Sequence, residues 1–222
     1  MTGIQRVARH RWVVRIIALI VLACVIASVA PTIRMRFLRA AGWALVIHRP
    51  LIESADVIVV AIDADGAGTL EAADLVHNGV SRRIAVFAAP PDSVADREFL
   101  RRGIPYEDAA AVSTRQLRSL GIDNVEQITR TVTGSEDEGE VLPAWCDQHR
   151  YRSVVVVTTA DHSRRLHRIL RRSLKGQQTI VTLPSRYSGF DPDRWWKTRS
   201  GVRTEIIEFE KLLLDIARHP IS

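Results

Sequence analysis

Val154-Val155-Val156-Val157-Thr158-Thr159-Ala160-Asp161-His162-Ser163-Arg164-Arg165, running on to Leu174, decides how this chain is read. Four consecutive β-branched apolar residues fit a strand buried on both faces. Leu166, Ile169, Leu170 and Leu174 then recur at helical spacing, with Arg164, Arg165, Arg168, Arg171 and Arg172 off that stripe as a solvated face. A strand that enters a helix through a short polar turn is half of a βαβ unit. The turn puts Thr158, Thr159, Asp161 and His162 at the carboxyl edge of a sheet and the amino end of a helix. That edge is where open α/β sheets bind ligands, and a helix start offers free N–H groups to an anion.

The same alternation extends both ways. Strands are expected at Ala55–Ile62, Ile84–Phe87, Val125–Val132, Val154–Val157 and Thr179–Leu183. Helices are expected after Gly68 to about His77, around Ser93–Arg102 and Asp108–Leu120, and from the Thr133 turn to about His149. After the Val154 strand come the arginine helix and, last, Glu205–Ala217, with Ile206, Phe209, Leu212, Leu213 and Ile216 as its apolar stripe. Such alternation predicts a doubly wound, mostly parallel five-stranded sheet with helices on both faces, over residues 54–219. Asp63–Gly68 is read as a glycine turn, and its spacing is neither a dinucleotide fingerprint nor a P-loop. Thr133 and Glu136 have the form of a capping box.

Residues 1–11 are a basic tail, 12–31 a transmembrane signal anchor and 32–53 a juxtamembrane linker. Ile16–Ala30 carries no charge, and with Val13 and Val14 it gives about 18 apolar positions, near the length a bilayer requires. Ser28-Val29-Ala30 resembles a signal-peptidase site, the competing reading, but Pro31 directly after it opposes cleavage. Trp43–Ile47 is apolar enough to lie at the interface or to dock on the domain. The net charge is +6, yet residues 1–40 hold seven arginines and no acid. That leaves 24 of the 31 basic residues against all 25 acidic ones, so the excess is juxtamembrane rather than a nucleic-acid footprint. The expected location is the cell membrane, single-pass, with the domain outside the cytoplasm. The two cysteines, Cys24 and Cys146, give neither a disulfide framework nor a zinc motif.

Over roughly residues 54–215 the order of elements resembles the YdcF-like, SanA/ElyC-type domain. Val154–Arg165 is similar to its strand, Thr-Ser, His and Arg signature, and the Thr133 turn to its Thr-x-x-Glu segment. Pro184, Trp195-Trp196 and Glu208-x-x-Lys211 match the usual C-terminal third. The chain departs from the family after its first and second strands, where Asp63–Gly68 and Ala88–Pro91 replace glycine-rich turns. The resemblance implies a role in cell-envelope or peptidoglycan biogenesis, acting on a phosphorylated, lipid-linked precursor. In that reading His162 is the general acid or base, oriented by Glu107, Glu136 or Glu138. Arg164 and Arg165, with Asp63, Thr133, Thr158, Thr159 and Asp161, line the ligand site, and Trp195 either roofs the pocket or packs the C-terminal lobe. Asp63, Asp65 and Glu107 are candidates to meet around a divalent ion. A nucleotide-like cofactor such as S-adenosylmethionine fits the altered first turn less well. The alternative is a non-catalytic module that binds an anionic ligand or a protein.

Overall fold

A computed structural model describes residues 31–91, 93–174 and 178–220, with Leu19 and Val21. Five strands form one all-parallel sheet: β1 (Val57–Val60), β2 (Ile84–Phe87), β3 (Val125–Ile128), β4 (Ser153–Thr158) and β5 (Thr179–Pro184), in the order β3-β2-β1-β4-β5. The described helices are α1 (Pro31–Leu45), α2 (Asp65–His77), α3 (Val94–Arg101), α4 (Ala109–Ser119), α5 (Ser135–His149), α6 (Ser163–Ser173) and α7 (Arg199–Arg218). The chain divides into two compact units at Ala41/Gly42. The doubly wound α/β architecture expected from the sequence is therefore present in the second.

The valine runs explain the sheet. β1 and β4 pair in the register Val57↔Val154 to Val60↔Val157, and every one of these side chains is buried. Both faces of the two central strands are covered, as an all-parallel sheet requires. Right-handed crossovers put α2 and α4 on one face and α5 and α6 on the other, and α2 packs on α4, α5 on α6 and α7 on α6. A second, smaller core joins Leu45, Val46, Ala160, Phe190 and Leu212. Trp43–Ile47 therefore takes the docking alternative, and the Gly42–Ser222 unit includes it. Arg49 fixes this entry segment by bonding the Pro184 carbonyl (2.7 Å) and pairing with the fully buried Glu71.

Several expectations are corrected. The Asp63–Gly68 stretch is not a glycine turn. A single 3-10 turn, Ile62–Ala64, leads straight into α2, so Gly66 and Gly68 are helical. Gly68 lets α2 approach the sheet, since a Cβ there would lie 2.4 Å from Ala64 Cβ and 2.9 Å from Val60 Cγ1. β3 ends at Ile128, four residues short of Val132. The Thr133/Glu136 capping box does not form. Asp137 reaches back instead, to the Thr133 N–H (2.8 Å) and hydroxyl (2.5 Å). α7 begins six residues early, capped by Thr198, and only part of its expected stripe faces inward, through Leu212 and the partly buried Phe209. Glu205, Glu208, Leu212 and Asp215 are buried, while Ile206 is 61% and Leu213 51% exposed. Glu208 and Asp215 meet Arg165, Arg168 and Arg172 of α6, so these arginines are not a wet surface, while Arg171 stays exposed. The expected span, 12–31, lies almost entirely outside the described residues; among the described residues no helix is long and apolar enough to cross a membrane.

Gly68→Ala tests the tight helix–sheet contact. It should cost roughly 1–3 kcal/mol of stability in urea denaturation. Gly66→Ala, whose added Cβ meets nothing within 4 Å, should be neutral or slightly stabilising.

Candidate functional site

Strand order reverses between β1 and β4, so the ends of these two strands flank a topological switch point. The Ile62–Ala64 turn leaves β1 there. β4 delivers Thr158 and, four residues on, His162, the residue before α6. α5 starts opposite, with Ser135 as its first residue after Gly134. These three pieces converge on the His162 imidazole, which is 2% exposed.

Each edge of the ring is occupied. Nε2 lies 2.6 Å from Ser135 Oγ and 3.3 Å from an Asp63 carboxylate oxygen. Nδ1 lies 3.1 Å from Glu208 Oε2. The Arg165 guanidinium stands 3.0 Å from Nδ1 and 3.3 Å from the same glutamate oxygen. Burial pushes the Glu208 carboxyl up, but hydrogen bonds from His162 and Lys211 and the Arg165 charge outweigh it and hold it at about 2. With its proton on Nδ1, toward Glu208, the imidazole turns the Nε2 lone pair to the Ser135 hydroxyl. The chain thus carries a hydroxyl, an imidazole and a carboxylate in hydrogen-bonded sequence, the arrangement that activates a serine nucleophile.

The serine faces a cleft of about 350 Å3 lined by Asp63, the Thr133–Asp137 turn, Arg165 and Lys211. The first intrahelical bond of α5 is Glu138 N–H to the Gly134 carbonyl (3.1 Å). The N–H groups before it have no acceptor within the helix, and they carry the positive end of its dipole. Together with Arg165 and Lys211 they suit an anionic group placed beside Ser135. Glu136 points away to a two-oxygen pair with Arg172 (2.7 and 2.8 Å). Glu138 lies behind the cleft, 1% exposed, accepting the Ile62 N–H (2.7 Å) through one oxygen, while the other has no partner. Burial raises its carboxyl to about 7.

Of the residues expected here, His162, Asp63, Thr133, Glu136 and Arg165 are at the cleft or on its rim. The others have different work. Glu107 pairs with Arg115 and lines a separate cavity between α2 and α4, so it does not orient His162. Arg164 is consumed by the last carbonyls of α1 and the residue beyond, Ala44 (2.5 Å), Trp43 (3.2 Å) and Val46 (2.6 Å). It caps that helix instead of holding a phosphate. Thr158 is fully buried with its hydroxyl unpartnered. Thr159 hydrogen-bonds Asp161, whose carboxyl is raised by burial and by the neighbouring Glu208. Trp195 packs edge-to-face on Trp196 and against Gly42, which is the packing alternative. Asp65 and Glu107 line the other cavity, apart from Asp63, and among the described residues no group of three or more His, Cys, Asp or Glu is placed to hold a metal. Sequence reasoning gives no site role to Ser135, Glu208 or Lys211; the Thr133–Glu136 turn and the Glu208-x-x-Lys211 spacing are the signals that mark them.

No protein-family model, curated protein or solved structure matches this chain.

The two raised glutamates, Glu138 and Glu205 (also lifted to about 7 by burial), make stability pH-dependent. A carboxyl raised on folding contributes stability that is complete below its unfolded value of 4.5 and lost as pH rises through about 7. The melting temperature should therefore fall between pH 5 and 8. Glu138→Gln should remove roughly 2–3 kcal/mol of that fall, read by denaturation at both pH values.

Proposed function

We propose that this protein is a membrane-anchored, envelope-facing enzyme that removes or transfers the phosphoryl group of a phosphorylated precursor at the His162 cleft. The observation that carries the reading is the sequence of Ser135 Oγ, His162 and Glu208 at 2.6 and 3.1 Å, opening on a cleft with Arg165 and Lys211. Ser135 Oγ attacks phosphorus as its proton passes to His162 Nε2. The leaving oxygen departs with the bonding pair and takes that proton. A water then repeats the displacement, giving up its proton to Nε2, and frees Ser135 and phosphate. Glu208 stabilises the imidazolium formed in each half. Arg165, Lys211 and the α5 N–H groups balance charge on the phosphoryl oxygens.

The anchor rests on the charge-free Ile16–Ala30 stretch, and the envelope role on the resemblance of Val154–Arg165 to the YdcF-like signature. Anchoring brings the cleft to where lipid-linked substrates reside. A second reading, a non-catalytic anion-binding module, is favoured by the burial of Ser135 and His162, which leaves little of either side chain open to a substrate.

Phosphate release from p-nitrophenyl phosphate and an isoprenyl diphosphate by the full-length protein in detergent tests the proposal. Ser135→Ala and His162→Ala should each lower kcat about 10³-fold or more with the melting temperature within a few degrees of wild type. Turnover that survives Ser135→Ala sinks the relay. Saturable phosphate binding without turnover in the wild type establishes the second reading, and hydrolysis of p-nitrophenyl acetate alone makes the chemistry acyl transfer.

A further inference from the structure

A second cavity, of about 380 Å3, opens on the other side of the Ile62–Ala64 turn, between α2 and α4 at the ends of β1 and β2. Its size falls in the range of small-molecule sites, roughly 300–1,000 Å3. Val60, Val86 and Phe87, all buried, form its floor. Asp65, Glu107 and Gln116, all exposed, form its rim. One face of the turn thus borders the cleft through Asp63, and the other borders this cavity through Ile62 and Asp65.

We infer that the α2–α4 cavity binds an uncharged polyhydroxylated ring, a sugar, belonging to the same substrate molecule whose phosphate occupies the His162 cleft; the inference rests on the phosphate reading above. Three observations select that chemistry. Carboxylates and an amide on the rim are acceptors for hydroxyl protons, and an alkyl chain laid over them would strip their water without replacement. The residues that line the cavity include no arginine or lysine, so nothing there invites a second anion. The apolar floor suits the C–H face of a ring. Asp65, which carries the rim carboxylate next to the turn, has φ 43° and ψ −144°, backbone that a non-glycine residue adopts only at a cost. Gly66 follows it as a helical residue that lines the cavity, and a Cβ added there would meet nothing within 4 Å.

Titration calorimetry on the full-length protein in detergent compares four probes: inorganic phosphate, glucose 1-phosphate, phosphoethanolamine and n-hexyl phosphate. Glucose 1-phosphate should bind at least tenfold tighter than inorganic phosphate, and the other two esters within about twofold of it. Gly66→Phe should erase the tenfold gain while phosphate affinity stays the same, and Glu107→Ala, at a half-exposed position, should reduce it without filling the cavity. A gain shown instead by hexyl phosphate or phosphoethanolamine overturns the assignment, as does a glucose 1-phosphate gain that survives Gly66→Phe. Should inorganic phosphate fail to bind at all, methyl α-glucoside is titrated alone and followed by amide shifts of Ser113 and Gln116. Shifts lost in Gly66→Phe keep the sugar site and discard the phosphate reading; their absence in wild type discards the sugar site.

Discussion

The contact between α6 and α7 is made of charge, and the site depends on it. Arg168 and Arg172 both bond Asp215, at 2.6 and 2.5 Å, and one turn up Arg165 and Lys211 share Glu208. Both carboxylates are nearly buried. Ion pairs taken out of water repay their desolvation only when every lone pair finds a donor. Here both oxygens of Glu208 and of Asp215 accept from a donor. His162 is a rung of the same ladder, because its Nδ1 partner is Glu208. The ring orientation that exposes Nε2 to Ser135 is therefore set by helix packing rather than by its own loop.

The same economy of charge governs how the chain before β1 is attached. Arg164 closes the end of α1, and Arg49 bridges the Pro184 carbonyl to Glu71, which also accepts the Arg186 backbone N–H at 2.8 Å. Two arginines that look equivalent to Arg165 in a sequence are thus spent on carbonyl groups and a buried carboxylate. What remains at the cleft is one arginine and one lysine. They stand among the carboxylates of Asp63, Glu136 and Asp137, and both pair with Glu208.

The sheet was legible because its central strands are buried on both faces and so read as unbroken valine runs. β2 falls at the residues expected, and α2, α4 and α5 end within a residue or two of their Gly, Ser or His signals. The first turn was misread because Gly66 and Gly68 look like loop residues, whereas Gly68 is small to let a helix touch a strand. The stripe of α7 was only partly legible, since Leu212 and Phe209 do pack inward while hydrophobic periodicity places every apolar residue there. Periodicity cannot register that α6 offers an arginine face, which draws Glu208 and Asp215 inward and leaves Ile206 and Leu213 outside. Of the site, His162 and Asp63 were visible as polar residues ending strands. Ser135 and Glu208 lie 27 and 46 residues from His162, on helices whose packing no spacing encodes.

Strand order also dictates when the site can exist. β1 waits for β4, with Val57 pairing Val154, and β4 is the strand that brings His162. Before that pairing, an emerging chain has only the β1–β2–β3 half-sheet, with one edge of β1 open. Closing so long a loop is entropically slow. Even then the imidazole lacks its carboxylate until α7 arrives, the last helix of the chain. The hydroxyl–imidazole–carboxylate sequence is thereby completed only by a C-terminal helix, and a chain cut before Glu208 leaves the Nδ1 edge of His162 without its carboxylate.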